Sequence, residues 1–460
     1  MAEPARNRGA IDQLRERFGA RLSISAAVRE AHGRDESYHA PQAPDAVVFA
    51  QSTDEVVEIV QICAALGTPI IPFGAGTSLE GHVAALQGGV CLDLTGMNKI
   101  LSVNMDDGDC VVEAGVTRKT LNEYIRDTGL FFPIDPGADA TLGGMAATSA
   151  SGTNAVRYGG MRENVLGLTV VMADGRVVRT ARRARKSSSG YDLTRLFVGS
   201  EGTLGVITEV AVKLHPVPEA ISAATCRFPD ILSAVNATIA TIQSGLPVAR
   251  IELIDEISVA GINKYSGLNL VEQPTLFLEF HGTEAGVREQ TQRFGEIAAG
   301  YGGGAFDWAT KTEIRNKLWE ARHTAYYASL AMYPGRKGMP TDVCVPISRL
   351  AECIAETKRD LAASGIEAPI IGHVGDGNFH TLLIFDPDNP GEVARCKAFN
   401  ERLILRALAM DGTCTGEHGI GYGKLGFMQA EHGEAVSVMR AVKLALDPHN
   451  LMNPGKVVRV

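Results

Sequence analysis

Apolar residues recur along the chain with two different periods. Residues 46–50 and 68–73 are short apolar runs of strand length. Between them Val56, Ile59, Val60 and Cys63 recur at helical spacing behind Thr53, a plausible N-cap. That order predicts a βαβ unit whose second strand runs straight into GAGTSLEGH. Further strands are predicted over 89–94, 109–114 and 204–214, with a helix from Thr117 that carries Leu121, Tyr124 and Ile125 on one face. Residues 165–179 read as a hairpin turning at Asp174-Gly175. A helical preamble is predicted over 11–31. After Pro216 and Pro218 the texture changes to alternating strands and longer helices. Helices are predicted over 229–244, 284–300, 311–333 and 346–364, and strands over 275–281 and 369–385. A last helix around 433–446 precedes the closing DPHNLMNPGK. The pattern is α+β, divided at 1–220, 221–410 and 411–460.

Composition narrows the function classes. Hydrophobic content of 45% with 21% charged residues excludes wholesale disorder. The formal net charge of −9 argues against a general nucleic-acid binder, which needs a basic surface. The basic stretch 176–186 has no interleaved aromatic residues and reads as a solvated loop. No apolar run has the length of a membrane-spanning helix. The early arginines Arg6, Arg8, Arg15, Arg17 and Arg21 resemble an organelle leader, but Glu3, Asp12 and Glu16 oppose that reading. The expected location is cytoplasmic, with peripheral membrane association left open. The eight cysteines include no CxxC pair and are expected to be buried, reduced thiols.

The 50 glycines are clustered, and the clusters adjoin predicted strands. PFGAGTSLEG offers consecutive unobstructed backbone N–H groups, the chemistry of a pyrophosphate cradle built from amide dipoles. It has neither a Walker lysine nor a GxGxxG spacing. Small residues follow Gly143-Gly144 through Gly152, so a flat ligand could approach the backbone there. GSEGTLGVIT leads into another strand. Three such loops in one half favour a shared elongated ligand over three unrelated tight turns.

A second constellation lies in IIGHVGDGNFHTLLIF. His373 and His380 flank a Gly-containing turn between apolar runs, so a hairpin would bring the imidazoles together. Two histidines with a carboxylate suit a divalent metal such as zinc or manganese, and a purely structural hairpin is the alternative. TGEHGIGYGK supplies Glu417 as third ligand, with His418 beside it on the opposite side of an extended backbone. The absence of HExxH argues against a metalloprotease. Arg322 on a predicted helix, and Arg336 and Lys337 in a turn, are cations available to an anionic substrate; solvated basic residues are the commoner alternative.

PFGAGTSLEGH, PGADATLGGMAATSASGTNAVRYG, KSSSGYDLTRLFVGSEGTLGVIT and LDPHNLMNPGK occur in order, and the chain from about residue 35 onward resembles flavoenzymes of the vanillyl-alcohol-oxidase type. Within them it is similar to the FAD-dependent D-lactate and D-2-hydroxyacid dehydrogenases. The resemblance implies a PCMH-type FAD-binding domain, a ferredoxin-like α/β substrate domain, and a C-terminal segment returning to the flavin. It implies that Pro72, Gly74, Ala75, Gly76, Thr77 and Ser78 hold the FAD pyrophosphate. Pro136, Gly137, Thr141, Gly143, Gly144, Ala147, Ser151 and Gly152 would lie along the cofactor. Glu201, Gly202 and Ile207 would meet its adenine–ribose end, and Asn453 would approach the flavin. Some relatives attach flavin through a histidine near the first loop, which makes His82 the nearest candidate here. Close relatives bind FAD non-covalently, so His82 is read as structural. The resemblance further implies His373, His380 and Glu417 as metal ligands and His418 as the base. Arg322 and Lys337 would grip the substrate carboxylate, with Tyr326 lining the pocket. The expected reaction takes a D-2-hydroxy acid, D-lactate above all, to the 2-oxo acid with hydride passing to flavin N5. Leu382 stands where relatives acting on D-2-hydroxyglutarate carry Asn, which favours a small monocarboxylate. The alternatives are a glycolate oxidase flavin subunit and a D-2-hydroxyglutarate dehydrogenase. The electron acceptor is open among quinone, cytochrome and electron-transfer flavoprotein.

Overall fold

The computed structural model describes residues 7–309 and 312–460. Glu3 and Arg6, and the first residue of the helix expected over 311–333, lie outside the described residues. The chain forms two compact units. One comprises Met1–Ser151, Gly159–Val217 and Glu417–Val460, and the other Gly152–Tyr158 and Pro218–Gly416. No helix among the described residues is long and apolar enough to cross a membrane. All eight cysteines are free, and all but Cys344 are buried.

The first unit holds two main sheets. Strands Ala46–Phe49 and Ile70–Phe73 both pair in parallel with Val90–Asp93, and Leu22–Ser23 closes one edge antiparallel. Parallel neighbours need a crossover. Helix Thr53–Ala65 supplies one and buries the predicted stripe Val56, Ile59, Val60 and Cys63. Its cap is Ser52 rather than Thr53: the Ser52 hydroxyl accepts from Glu55 N at 3.3 Å. The preamble is not one helix. Gly19, at φ +54°, ends Arg8–Phe18, and Ala26–His32 follows a short strand. The second sheet is antiparallel, in the order Ile100–Asn104, Asp109–Glu113, Val206–Lys213, Val165–Val171, Val177–Arg179. The C-terminal segment returns to the first sheet, where Ile70 N donates to Leu451 O and Asn453 N to Ile70 O, each at 2.8 Å.

The second unit is built on an eight-stranded antiparallel sheet. Its first four strands in chain order are Ala220–Arg227, Val248–Ile254, Thr275–Gly282 and Phe306–Ala309, and they lie in the spatial order fourth, first, third, second. Helices Ile231–Gln243 and Glu284–Gly300 make the crossovers, so this half is a ferredoxin-like βαββαβ unit with an added helix, Glu256–Ser266, between its second and third strands. Ile370–Gly372 extends it beside Val248–Ile254, then Asn378–Phe385 and Lys337–Pro340. A helix spanning 311–333 is not formed. Thr324 interrupts it, its hydroxyl bonding back to Glu320 O at 2.9 Å, and leaves Thr312–His323 and Ala325–Ala331. Trp319, Ala321, Ala325 and Ala328 from these helices pack with Ala223, Ile254 and Phe277 of the sheet.

Candidate active site

In the first unit the strand Ile70–Phe73 releases the chain into residues 74–78. Among the described residues, the N–H groups of Ala75, Gly76, Thr77 and Ser78 donate to no protein acceptor. Their residues are half-buried or, for Ala75, exposed. The Ser78 hydroxyl is committed to Asp35 Oδ2 at 3.0 Å, and His82 N donates to the same carboxylate at 3.1 Å. Asp35 therefore shapes the loop while these four amides keep no protein acceptor. A Cβ on Gly74 would overlap the Thr141 hydroxyl. Thr141 caps the short helix Leu142–Ala147 through Gly144 N, and Gly143 N donates to Ala114 O at 2.9 Å. A Cβ on Gly143 would sit 2.6 Å from Ala114 Cβ. The two glycine loops thus meet backbone to side chain at a separation only glycine permits. Consecutive unpaired amides beside a capped helix start fit an anionic diphosphate, the part of FAD expected here.

The other expected cofactor residues have varied surroundings. Pro72 is half-buried beside Gly202, Pro136 is half-buried and Gly137 exposed. Ala147 O accepts from Glu201 N at 2.8 Å. Ser151 ends a segment of the first unit, whereas Gly152 opens the piece that belongs to the second. Ile207 is a core side chain packed with Leu168 and Val170. The Glu201 carboxylate accepts from Ile420 N at 2.7 Å and Gly421 N at 2.8 Å, so it fastens the returning segment. Asn453 Nδ2 donates to His82 O and Glu201 O, and its Oδ1 accepts from Lys456 Nζ. His82 Nε2 stands 3.3 Å from Glu201 Oε2, yet neither ring nitrogen makes a well-aligned hydrogen bond. Burial lowers the His82 pKa, but the Glu201, Asp35 and Glu80 carboxylates outweigh it and leave it raised. Burial raises the Glu201 pKa in turn; the imidazole and the two amides outweigh that and leave it lowered. Desolvation pulls the buried Lys456 ammonium down to about 7, against the pull of Glu201 and Asp35.

In the second unit His373 and His380 do come together. Ile371 pairs with His380 across the hairpin, and the rings stand 5.6 Å apart, nearly perpendicular. His373 Nδ1 lies 2.9 Å from Glu252 Oε1, and His380 Nδ1 lies 2.9 Å from Thr341 O. Both partners only accept, so each ring carries its proton on Nδ1. Asp342, fully buried, stands 3.6 Å from His380 Nδ1 and accepts from Asn378 Nδ2 at 2.7 Å and the Thr415 hydroxyl at 2.6 Å.

Arg322 is buried, with Nη2 on Glu252 Oε2 at 2.5 Å and Nε lacking an acceptor. Tyr326 is half-buried on the next helix, beyond the break at Thr324. Its hydroxyl would lie 3.5 Å from a Cβ on Gly338, which the buried Leu382 also borders. Lys337 is exposed at the start of Lys337–Pro340. The second unit ends at Gly416, which lies against Asn378. Glu417 and His418 follow by peptide bonds and open the last segment of the first unit, both half-buried, with His418 Nε2 4.0 Å from Glu417 Oε1.

Sequence reasoning missed Glu252, Thr341, Asp342 and Asp35. Glu252 did leave a signal: an acid in the middle of the mostly apolar strand VARIELI demands a buried partner.

Comparison with known proteins places the chain among FAD-linked oxidases. Residues 217–457 match the family described as FAD linked oxidases, C-terminal domain, and residues 44–181 match FAD binding domain. A Danio rerio protein named "Probable D-lactate dehydrogenase, mitochondrial" is 56% identical over 95% of this chain and 89% of its own length. An Arabidopsis thaliana protein named "D-lactate dehydrogenase [cytochrome], mitochondrial" is 47% identical over 97% of this chain and 80% of its own. A Bacillus subtilis glycolate oxidase subunit is 33% identical over 94% of this chain and 93% of its own. Among solved structures, a Gulosibacter chungangensis 4-ethylphenol oxidase superposes with TM-score 0.81 at 19% identity, covering 98% of this chain and 97% of that one. A p-cresol methylhydroxylase gives 0.79 at 18% identity, covering 99% and 98%. These last two show the PCMH-type fold alone.

Proposed function

The chain belongs to the FAD-linked oxidase family, and from that premise we propose that it oxidises a D-2-hydroxy acid, D-lactate foremost, with FAD and a divalent metal. The observation that carries this reading is kinship over 95% and 97% of the chain, across both units, with proteins named D-lactate dehydrogenases. The amides of residues 75–78 and the 141–144 turn would hold non-covalent FAD, which would supply the two-electron acceptor. His373, His380 and Glu417 would hold zinc or manganese, whose Lewis acidity would favour the ionised substrate hydroxyl. The Nδ1 acceptors support this, because an acceptor behind an imidazole fixes its tautomer and orientation as a ligand.

His418, adjoining Glu417, takes the hydroxyl proton as general base. Arg322, through its unpaired Nε, and Lys337, through its exposed ammonium, bind the carboxylate. Tyr326 and Leu382 bound the side-chain end, and the apolar Leu382 favours a methyl group over a second carboxylate. The acceptor of the electrons is proposed to be a cytochrome, as one relative's name has it.

Anaerobic mixing of the purified FAD-loaded protein with D-lactate, glycolate or D-2-hydroxyglutarate tests the substrate. D-lactate should reduce the flavin fastest. Faster reduction by glycolate or D-2-hydroxyglutarate would move the assignment to that acid. Cell fractionation separates the cytoplasmic, peripherally attached location from the mitochondrial one printed in relatives' names.

A further inference from the structure

We propose that Glu252 is a positioning residue that sets His373 for the metal and Arg322 for the substrate carboxylate through the two oxygens of one side chain. The inference rests on the activity just proposed and adds a link within it. Glu252 is 1% exposed in the middle of Val248–Ile254. Its Oε1 lies 2.9 Å from His373 Nδ1, and its Oε2 accepts from Arg322 Nη2 at 2.5 Å. A carboxylate on the far side of an imidazole fixes the tautomer and strengthens the ring as a ligand. His380 reaches the same tautomer through a neutral acceptor, the Thr341 carbonyl. The two imidazoles are therefore preset alike, but only the acceptor of His373 is shared with a cation.

Arg322 is held from a second direction. Trp319, three residues earlier on Thr312–His323, donates Nε1–H to Glu279 Oε2 at 2.6 Å. Glu279 lies on Thr275–Gly282, the strand hydrogen-bonded to Val248–Ile254, with Phe277 opposite Glu252. One helix is thus fastened to carboxylates on two adjacent strands, which limits the swing of the guanidinium. With Nη2 committed to Glu252, the buried Nε remains to meet a carboxylate. Ion affinity and carboxylate affinity then share one support.

The test uses full-length, FAD-loaded protein carrying E252Q, E252D or R322K. Chelator competition gives the Mn2+ affinity, D-lactate kinetics give KM and kcat, and bound flavin with circular dichroism reports folding. E252Q should weaken Mn2+ binding about 10–100-fold. It should also raise KM by about 10-fold or more, because the amide cannot accept from both His373 and Arg322. E252D should recover part of the metal affinity. R322K should raise KM while leaving Mn2+ affinity within about threefold, since His373 keeps its acceptor. Unchanged Mn2+ affinity in E252Q and E252D would overturn the inference. Equal loss of Mn2+ affinity in R322K would also overturn it, because the effect would then be general loosening. Wild-type protein that neither binds Mn2+ nor is reduced by D-lactate would be a separate result: the underlying activity fails, and the inference with it.

Discussion

Lys443→Met tests how the C-terminal segment is locked into the first unit. Lys443 is buried in the last turn of helix Ala435–Leu446, and its ammonium donates to Asp447 Oδ2 at 2.5 Å, Thr203 O at 2.7 Å and Met452 O at 2.8 Å. Asp447, fully buried, also accepts from Leu451 N and Met452 N. One cation therefore ties the helix to the loop after Glu201 and to the segment that runs beside Ile70. Methionine fills similar volume but leaves a buried carboxylate without its cation and two carbonyls without a donor. Breaking a buried pair from one side costs about 3–5 kcal/mol. The two backbone donors still support Asp447, so we expect the lower end, about 3 kcal/mol. For a unit of this size that corresponds to a fall of about 6–12 °C in Tm. Thermal unfolding followed by flavin release measures it. Adding Asp447→Asn removes the stranded charge while keeping an acceptor, and should recover about 1–2 kcal/mol. A shift under about 2 °C in the single variant, or no recovery in the double, would refute the reasoning.

Gly143→Ala drives a methyl group into Ala114 and should destabilise the first unit by about 1–3 kcal/mol. Purified protein should carry substoichiometric FAD; a full complement would contradict the cradle geometry. His418→Ala should retain FAD but lose anaerobic reduction by D-lactate, which stopped-flow absorbance would show. Stripping divalent ions with a chelator should abolish reduction without releasing flavin, and Mn2+ or Zn2+ should restore it. His215 is held down to about 4 by burial and by the Lys213 and Arg185 charges. The unfolded chain therefore takes up this proton first as pH falls below about 6.5, and the stability carried by neutral His215 drains away down to pH 4. His215→Gln should flatten the decline of the unfolding midpoint over that window.

Periodic features were legible in the sequence because one neighbouring element decides them. The stripe from Val56 to Cys63, the hairpin at Asp174-Gly175 and the register that places His373 near His380 all depend on spacing along one or two adjacent segments. Glycine clustering pointed to backbone approach, and the Gly74–Thr141 and Gly143–Ala114 contacts give its cause. What sequence left hidden depends on partners far along the chain. Arg322 reads as an unattached cation until Glu252, 70 residues earlier, is seen to hold it. The carboxylate of Glu201 is held by the amides of Ile420 and Gly421, more than 200 residues later in the chain. The break at Thr324 also escaped pattern reading, because a hydroxyl bonding back one turn leaves the apolar period intact.

The central claim is oxidation of D-lactate by the bound flavin. Anaerobic titration of the purified protein with D-lactate should bleach the flavin band near ~450 nm and release pyruvate in equal amount, while L-lactate leaves the spectrum unchanged. A flavin that D-lactate cannot bleach, or a protein that carries no flavin, would contradict it.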